Sequence, residues 1–256
     1  MAGAVLAGPA TGLCTGLDRA SSFEFGAGVS HFEYKEPGLM TEKGPFVELY
    51  LAYTHPRPDE GAVEGLWFRA EFMAGFGQVD YDGHLMDGTP YSFTGTDSMR
   101  IEPRLLLGRA VDYAGVRVSP YVGIGYRRLD NAQSGDPAGY DRLSQYLYSP
   151  IGLQTRASLK GSWRIGGTLE YDLFWIGRQE SGLVDPPIQN DQRSGYGLRA
   201  SIQFTRRQDA SELVFEPYVV YWDIRTSEVE YGPDHTGYVE PANHCTEVGL
   251  RVRIRF

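Results

Sequence analysis

The sequence predicts an all-β chain that closes into an antiparallel up-and-down transmembrane β-barrel of about ten strands, with eight to twelve compatible with the patterning. Three observations predict it. Long segments alternate polar and apolar residues, the period of a strand with two different faces. The connections between them alternate between short and long. The last ten residues alternate without a break: Val248, Leu250, Val252, Ile254 and Phe256 share one face, and Glu247, Gly249, Arg251, Arg253 and Arg255 the other.

Ten segments follow in order. The first, 22–34, sets Glu24, Gly26, Gly28 and Ser30 against Phe23, Phe25, Ala27 and Val29. The second, 45–54, turns Val47, Leu49, Leu51 and Tyr53 outward and Glu48, Tyr50 and Ala52 inward. The third, 66–81, opposes Arg69, Glu71, Met73, Gly75 and Gly77 to Phe68, Ala70, Phe72, Ala74 and Phe76. The fourth, 98–110, places Arg100, Glu102 and Arg104 opposite Met99, Ile101, Pro103 and Leu105. The fifth, 115–129, has Arg117, Ser119, Tyr121, Gly123, Gly125 and Arg127 on its polar face. The sixth, 145–159, carries Gly152, Gln154, Arg156 and Ser158 there, and the seventh, 161–178, Arg164, Gly166, Thr168, Glu170 and Asp172. The eighth, 195–206, contributes Arg199, Ser201 and Gln203. The ninth, 212–226, contributes Glu216 and Tyr218, with a blurred phase at Trp222-Asp223-Ile224 that suggests a bulge. The tenth is the terminal stretch.

The connections 112–115, 160–161 and 207–210 read as tight turns, and 82–97, 131–144, 179–194 and 227–243 as long loops rich in Gly, Pro, Asp and Asn. Short turns on one rim and long loops on the other are expected of a membrane barrel, and an even strand count returns both ends to the short-turn rim. The connections 35–44 and 54–65 fit less well, the first short for an outer loop and the second long for a turn.

Composition separates the remaining classes. No apolar run reaches the roughly 18 residues of a helical span. Gly 32 and Tyr 17 are high; glycine suits a crowded barrel interior and tyrosine an interfacial belt. A net charge of -9 argues against a nucleic-acid partner. Residues 1–21 read as a residual export signal, with a misassigned start or an unstructured terminus as the plainer alternative, and 22–256 as the barrel. A lipoprotein cleavage site at Cys14 is disfavoured by Leu13 before it, and a disulfide to Cys245 is not expected, because the leader would be lost.

A soluble β-sandwich would hide the apolar faces and show the polar ones to water. Against it, the polar face mixes Arg, Glu and Asp with Gly and Ser and holds little Lys, which suits a confined lumen where ion pairs satisfy one another. Aromatic residues fall near strand ends, Tyr53, Trp163 and Phe256 toward the short-turn rim and Tyr81, Trp175 and Tyr221 toward the long-loop rim. Closure also removes the sheet edges that ten strands would otherwise expose.

On these residues the chain resembles the bacterial outer-membrane β-barrel superfamily. Glu247, Gly249, Val252 and Ile254, with the terminal aromatic Phe256, match its C-terminal assembly signal. The resemblance implies an outer-membrane location, outer-membrane lipid and lipopolysaccharide as surroundings, and the barrel-assembly machinery as the reader of the last strand.

A barrel of this size has a lumen filled by side chains rather than an open channel. Its expected interior ion-pair network comprises Glu48, Arg69, Glu71, Arg100, Glu102, Arg104, Arg117, Arg127, Arg156, Arg164, Glu170, Asp172, Arg199, Glu216, Glu247, Arg251 and Arg253, with Glu24 and Arg255 beside them. A structural or surface-interaction role follows most directly; a narrow solute channel is the alternative and an outer-membrane hydrolase the third reading. Asp97, Asp223, Asp234, His235, His84 and His244 fall near the outer side, but no protease motif can be laid onto them. Ser30 and His31 are adjacent and point to opposite faces, which makes no dyad. Asp234, His235 and His244 fit no zinc spacing. The acidic loop with Glu228, Glu230, Asp234 and Glu240 reads as a solvated surface. No cofactor, metal or catalytic residue is expected.

Overall fold

The computed structural model describes residues 21–56, 65–85, 87–233 and 235–256; the expectations for Cys14, for Asp234 and for the leader up to residue 20 lie outside them. Ten antiparallel strands form the barrel. They are β1 (Ser22–Glu36), β2 (Met40–Pro56), β3 (Leu66–His84), β4 (Pro90–Arg109) and β5 (Val116–Ala132). β6 (Arg142–Ser158), β7 (Trp163–Ser181), β8 (Gly195–Gln208), β9 (Ser211–Ile224) and β10 (Asn243–Arg255) complete it. Each strand pairs with the next, and β1 pairs with β10 from Glu24↔Arg255 to Lys35↔His244, so the sheet closes on itself. Closure is what satisfies the backbone of such a sheet in lipid.

The alternation sorts side chains as a barrel requires. Phe25, Val47, Phe76, Leu107, Val122, Leu169, Ile202, Val248 and their neighbours stand exposed on the outer wall as an apolar belt. The belt ends where outward positions turn polar, at His31, Lys43, Gln78, Asp97, Arg128, Arg178 and His244. Above that line the strands continue, so the barrel extends past the apolar belt on the long-loop side.

Several sequence expectations are corrected. Most of 82–97 is strand, because β3 and β4 run on to His84↔Pro90. Its irregularity lies between Val79 and Tyr81, opposite Gly95, whose φ of 78° favours a glycine. The bulge expected at Trp222–Ile224 is absent: Trp222↔Cys245, Asp223↔His244 and Ile224↔Asn243 pair in unbroken register. The phase change falls instead at Leu147/Tyr148, where Trp175 and Ile176 of β7 both turn outward. Tyr81 does not join an outer girdle; it points inward and stacks on Phe93 at 4.8 Å. Tyr53, Trp163, Trp175 and Phe256 do stand on the outer wall.

Inward aromatics lie flat over glycines of the neighbouring strand. A Cβ on Gly152 would sit 2.3 Å from the ring of Tyr121, one on Gly125 2.3 Å from Tyr148, and one on Gly249 2.6 Å from Tyr218. These interior glycines are therefore sockets for rings, which is how a narrow lumen accommodates so many tyrosines.

Candidate functional site

The interior is built in layers along the barrel axis. The lower and middle layers hold nine guanidinium groups, of Arg69, Arg100, Arg104, Arg127, Arg164, Arg199, Arg251, Arg253 and Arg255. Against them stand nine carboxylates, of Glu24, Glu48, Glu71, Glu102, Glu170, Asp172, Glu212, Glu216 and Glu247. Near the short-turn rim Glu24 receives Arg69 at 2.8 Å, Arg253 at 2.5 Å and Arg255 at 2.9 Å. Higher up, Glu48 bridges Arg100 at 2.6 Å and Arg251 at 3.3 Å. Glu247 holds Arg100 and, at 2.6 Å, Arg127. Arg199 joins Glu102, Glu170 and Asp172. These groups are buried, and the shared carboxylates tie together strands far apart in sequence. The cavity left among them is about 80 Å³.

Of the residues expected in this network, Arg117 and Arg156 line a cavity of about 130 Å³ at the short-turn rim together with Arg69, Arg253 and Arg255, and Arg117 pairs at 3.0 Å with Asp112 of the short strand Val111–Tyr113. Glu212, which sequence reasoning missed, pairs with Arg164 and with Arg255 at 2.9 Å. Its inward phase was legible from Glu216 four residues on.

Above the charges lies an apolar plug. Phe32, Phe46, Val79, Leu129, Tyr146, Tyr148, Phe174, Trp222 and Ile224 form one packed cluster, with Val79, Tyr148, Trp222 and Ile224 fully buried. Trp222 packs against Tyr148 at 5.0 Å and Tyr146 at 5.6 Å, and Arg127 and Arg199 approach its ring from below. The plug is level with the upper edge of the outer belt.

A second polar cluster caps the plug. Arg142 donates to Glu36 at 2.5 Å and to Glu240 at 2.7 Å, and lies 3.8 Å from Glu42. The Tyr34 hydroxyl is 3.0 Å from both Glu36 and Glu240, and Asn131 and Gln133 donate to Glu42. Glu240 was expected on a solvated loop surface; the loop after β9 instead folds it inward onto Arg142, where it is 4% exposed. Burial first, then the neighbouring Glu36, pushes its carboxyl up to about 7 against the pull of Arg142.

This cluster is the floor of an outer vestibule of about 680 Å³. Tyr81, Tyr91 and Phe93 form one wall, Leu183, Ile188 and Val239 another, and Tyr140 and Tyr238 also line it. Burial raises the Tyr140 phenol. The described residues above the belt are strongly acidic. Glu33, Glu36, Glu42, Asp80, Asp82, Asp87, Asp97, Asp130, Asp136, Asp141, Glu180, Asp185, Asp191, Asp223, Glu228, Glu230 and Glu240 outnumber Lys35, Lys43, Arg128, Arg142, Arg178, Arg193 and Arg225. The charged lumen is balanced, so the acidic character of the chain is concentrated at this end.

The remaining candidates disperse. His84 contacts the carbonyl of Leu39 at 3.3 Å. Asp97 accepts from Gln78 on the outer wall. His244 lies 3.6 Å from Asp223 on the outward face. His235 sits exposed at a loop tip with φ of 62°. Ser30 donates inward to Glu48 while His31 points out. Among the described residues no group of three His, Cys, Asp or Glu side chains is placed to hold a metal ion.

No protein-family model matches the chain, and no curated protein matches its sequence. Solved structures do match in shape. The outer membrane protease OmpT from Escherichia coli superposes with a TM-score of 0.62 at 9% identity, covering 96% of this chain and 99% of that one. The translocator domain of the autotransporter NalP from Neisseria meningitidis reaches 0.46 at 10% identity, over 93% of this chain and 88% of that one. A major outer membrane protein from Thermus thermophilus reaches 0.40 at 14% identity, over 93% and 100%. The likeness is one of architecture: this chain has the fold of a bacterial outer-membrane β-barrel protein.

Proposed function

We propose that the protein is an integral outer-membrane barrel with a sealed lumen, whose working end is the outer vestibule and the loops around it, in a surface-interaction role. The observation that carries this reading is the layering of the interior. Nine cations and nine anions, mutually paired, are followed by a packed aromatic plug, and a cavity of ligand size opens above the plug. A solute path would need polar space through the plug, where Val79, Tyr148, Trp222 and Ile224 are fully buried. In this reading the barrel-assembly machinery receives the last strand through Glu247, Gly249, Val252, Ile254 and Phe256.

Single-channel recording of the refolded chain in a planar bilayer tests it. The expected result is stable insertion without unit currents. Steady, salt-dependent unit currents would replace the sealed barrel by the narrow channel.

A further inference from the structure

We propose that the outer vestibule binds a small organic ammonium ion bearing an apolar or aromatic group, with its charge at the Glu36–Glu240 floor and its apolar part against the Tyr81–Tyr91–Phe93 wall. The proposal deepens the surface-interaction reading and rests on it.

Shape comes first. About 680 Å³ lies within the roughly 300–1,000 Å³ of small-molecule pockets, and the aromatic and aliphatic walls with few polar groups are the usual lining of such sites. Ring chemistry comes second. Tyr81 and Phe93 stack at 4.8 Å, Tyr91 meets Phe93 at 6.0 Å with a 53° tilt, and all three rings line the cavity. Aromatic faces attract organic cations through the ring quadrupole, and quaternary ammonium ligands are recognised in this way.

Charge decides the class of ligand. Glu36 and Glu240 share the single guanidinium of Arg142, with Glu42 behind them. A neutral ligand leaves the second carboxyl to keep its proton, an anion meets repulsion from Glu36 and the acidic rim, and a cation lets the second carboxyl ionise beside it. The groups facing Glu240 are Arg142 and Tyr146 from β6, Tyr34 and Glu36 from β1 and Tyr140 from the loop before β6, while Glu42 of β2 and Tyr81 of β3 lie on the far side of Arg142. Burial, with Arg142 pulling the other way and Glu36 adding to it, raises the Glu240 carboxyl well into the neutral range. An arriving cation would displace that proton, so its affinity should rise as pH increases through neutrality.

The test uses the refolded full chain in a non-ionic detergent, titrated by calorimetry with benzyltrimethylammonium, benzyl alcohol and benzenesulfonate. The cation should bind about tenfold more tightly than the neutral alcohol, and the sulfonate should not bind. Glu240→Gln should remove most of that preference and its pH dependence. Phe93→Leu, outside the ionic cluster, should weaken the cation several-fold and serves if the first variant does not refold. Equal affinity for cation and alcohol, or preference for the sulfonate, would overturn the ammonium assignment and leave the vestibule as a binding site. Binding of none of the three would overturn both, whereas unit currents would overturn the sealed barrel alone.

Discussion

Glu24 shows what a single buried charge does in this molecule. It is fully buried and receives guanidinium groups from β3 and twice from β10. Replacing it with Ala leaves Arg69, Arg253 and Arg255 without their common anion in a confined space. Loss of one partner from such a cluster costs roughly 3–5 kcal/mol, so Glu24→Ala should lower the urea midpoint of the detergent-refolded barrel, with an unchanged midpoint as the contrary result. Glu240 makes a different, pH-dependent contribution. Its carboxyl is held at about 7 in the folded protein against an ordinary value of 4.5. The folded state therefore keeps the proton more tightly, and the associated stability is complete below about pH 4.5 and lost as pH rises through about 7. Hydrogen exchange of residues 225–233 and 235–242 should accelerate over that window in the wild-type chain and not in Glu240→Gln.

At the scale of strands, registry and aromatic packing reinforce each other. Tyr121 over Gly152 and Tyr148 over Gly125 join β5 and β6 reciprocally, a ring from each strand seated on a glycine of the other. An added methyl at either glycine would drive into the opposing ring. Gly125→Ala and Gly152→Ala should each destabilise by about 1–3 kcal/mol in chemical denaturation, the usual range for overpacking, whereas Gly38→Ala has open space around its Cβ and tests backbone strain alone. The strand faces were legible in the sequence wherever alternation ran unbroken, as in Arg164–Asp172 and Glu247–Phe256. The extensions of β3 and β4 were not, because Asp80, Asp82, Thr94 and Gly95 are polar or small above the membrane, where alternation no longer contrasts lipid with lumen. Tyr81 was misplaced for the same reason.

For the molecule as a whole, the barrel is polarised along its axis. The paired groups of the charged lumen balance, the plug is uncharged, and the acidic excess of the described residues stands beyond the apolar belt around the vestibule. In the proposed reading, a sealed interior and an open outer cavity place the accessible chemistry at the outer end, and stable insertion without unit currents is the result that follows at this scale. The similarity in shape to OmpT, at 9% identity, reaches the architecture and goes no further. The vestibule floor of this chain is built on Arg142 between two glutamates.

The alternation along the chain by itself determined the all-β barrel class, a strand number near ten, the inward and outward faces and the identity of most lumen charges, because each of these depends on a period of two within one segment. It could not determine which arginine meets which glutamate, since the partners of Glu24 and Glu247 come from strands brought together only by closure. It also left unread the plug and the vestibule floor. Phe32, Phe46, Trp222, Tyr34, Glu36, Arg142 and Glu240 lie far apart along the chain, and it is the curvature of a ten-stranded barrel that directs them to a common axis.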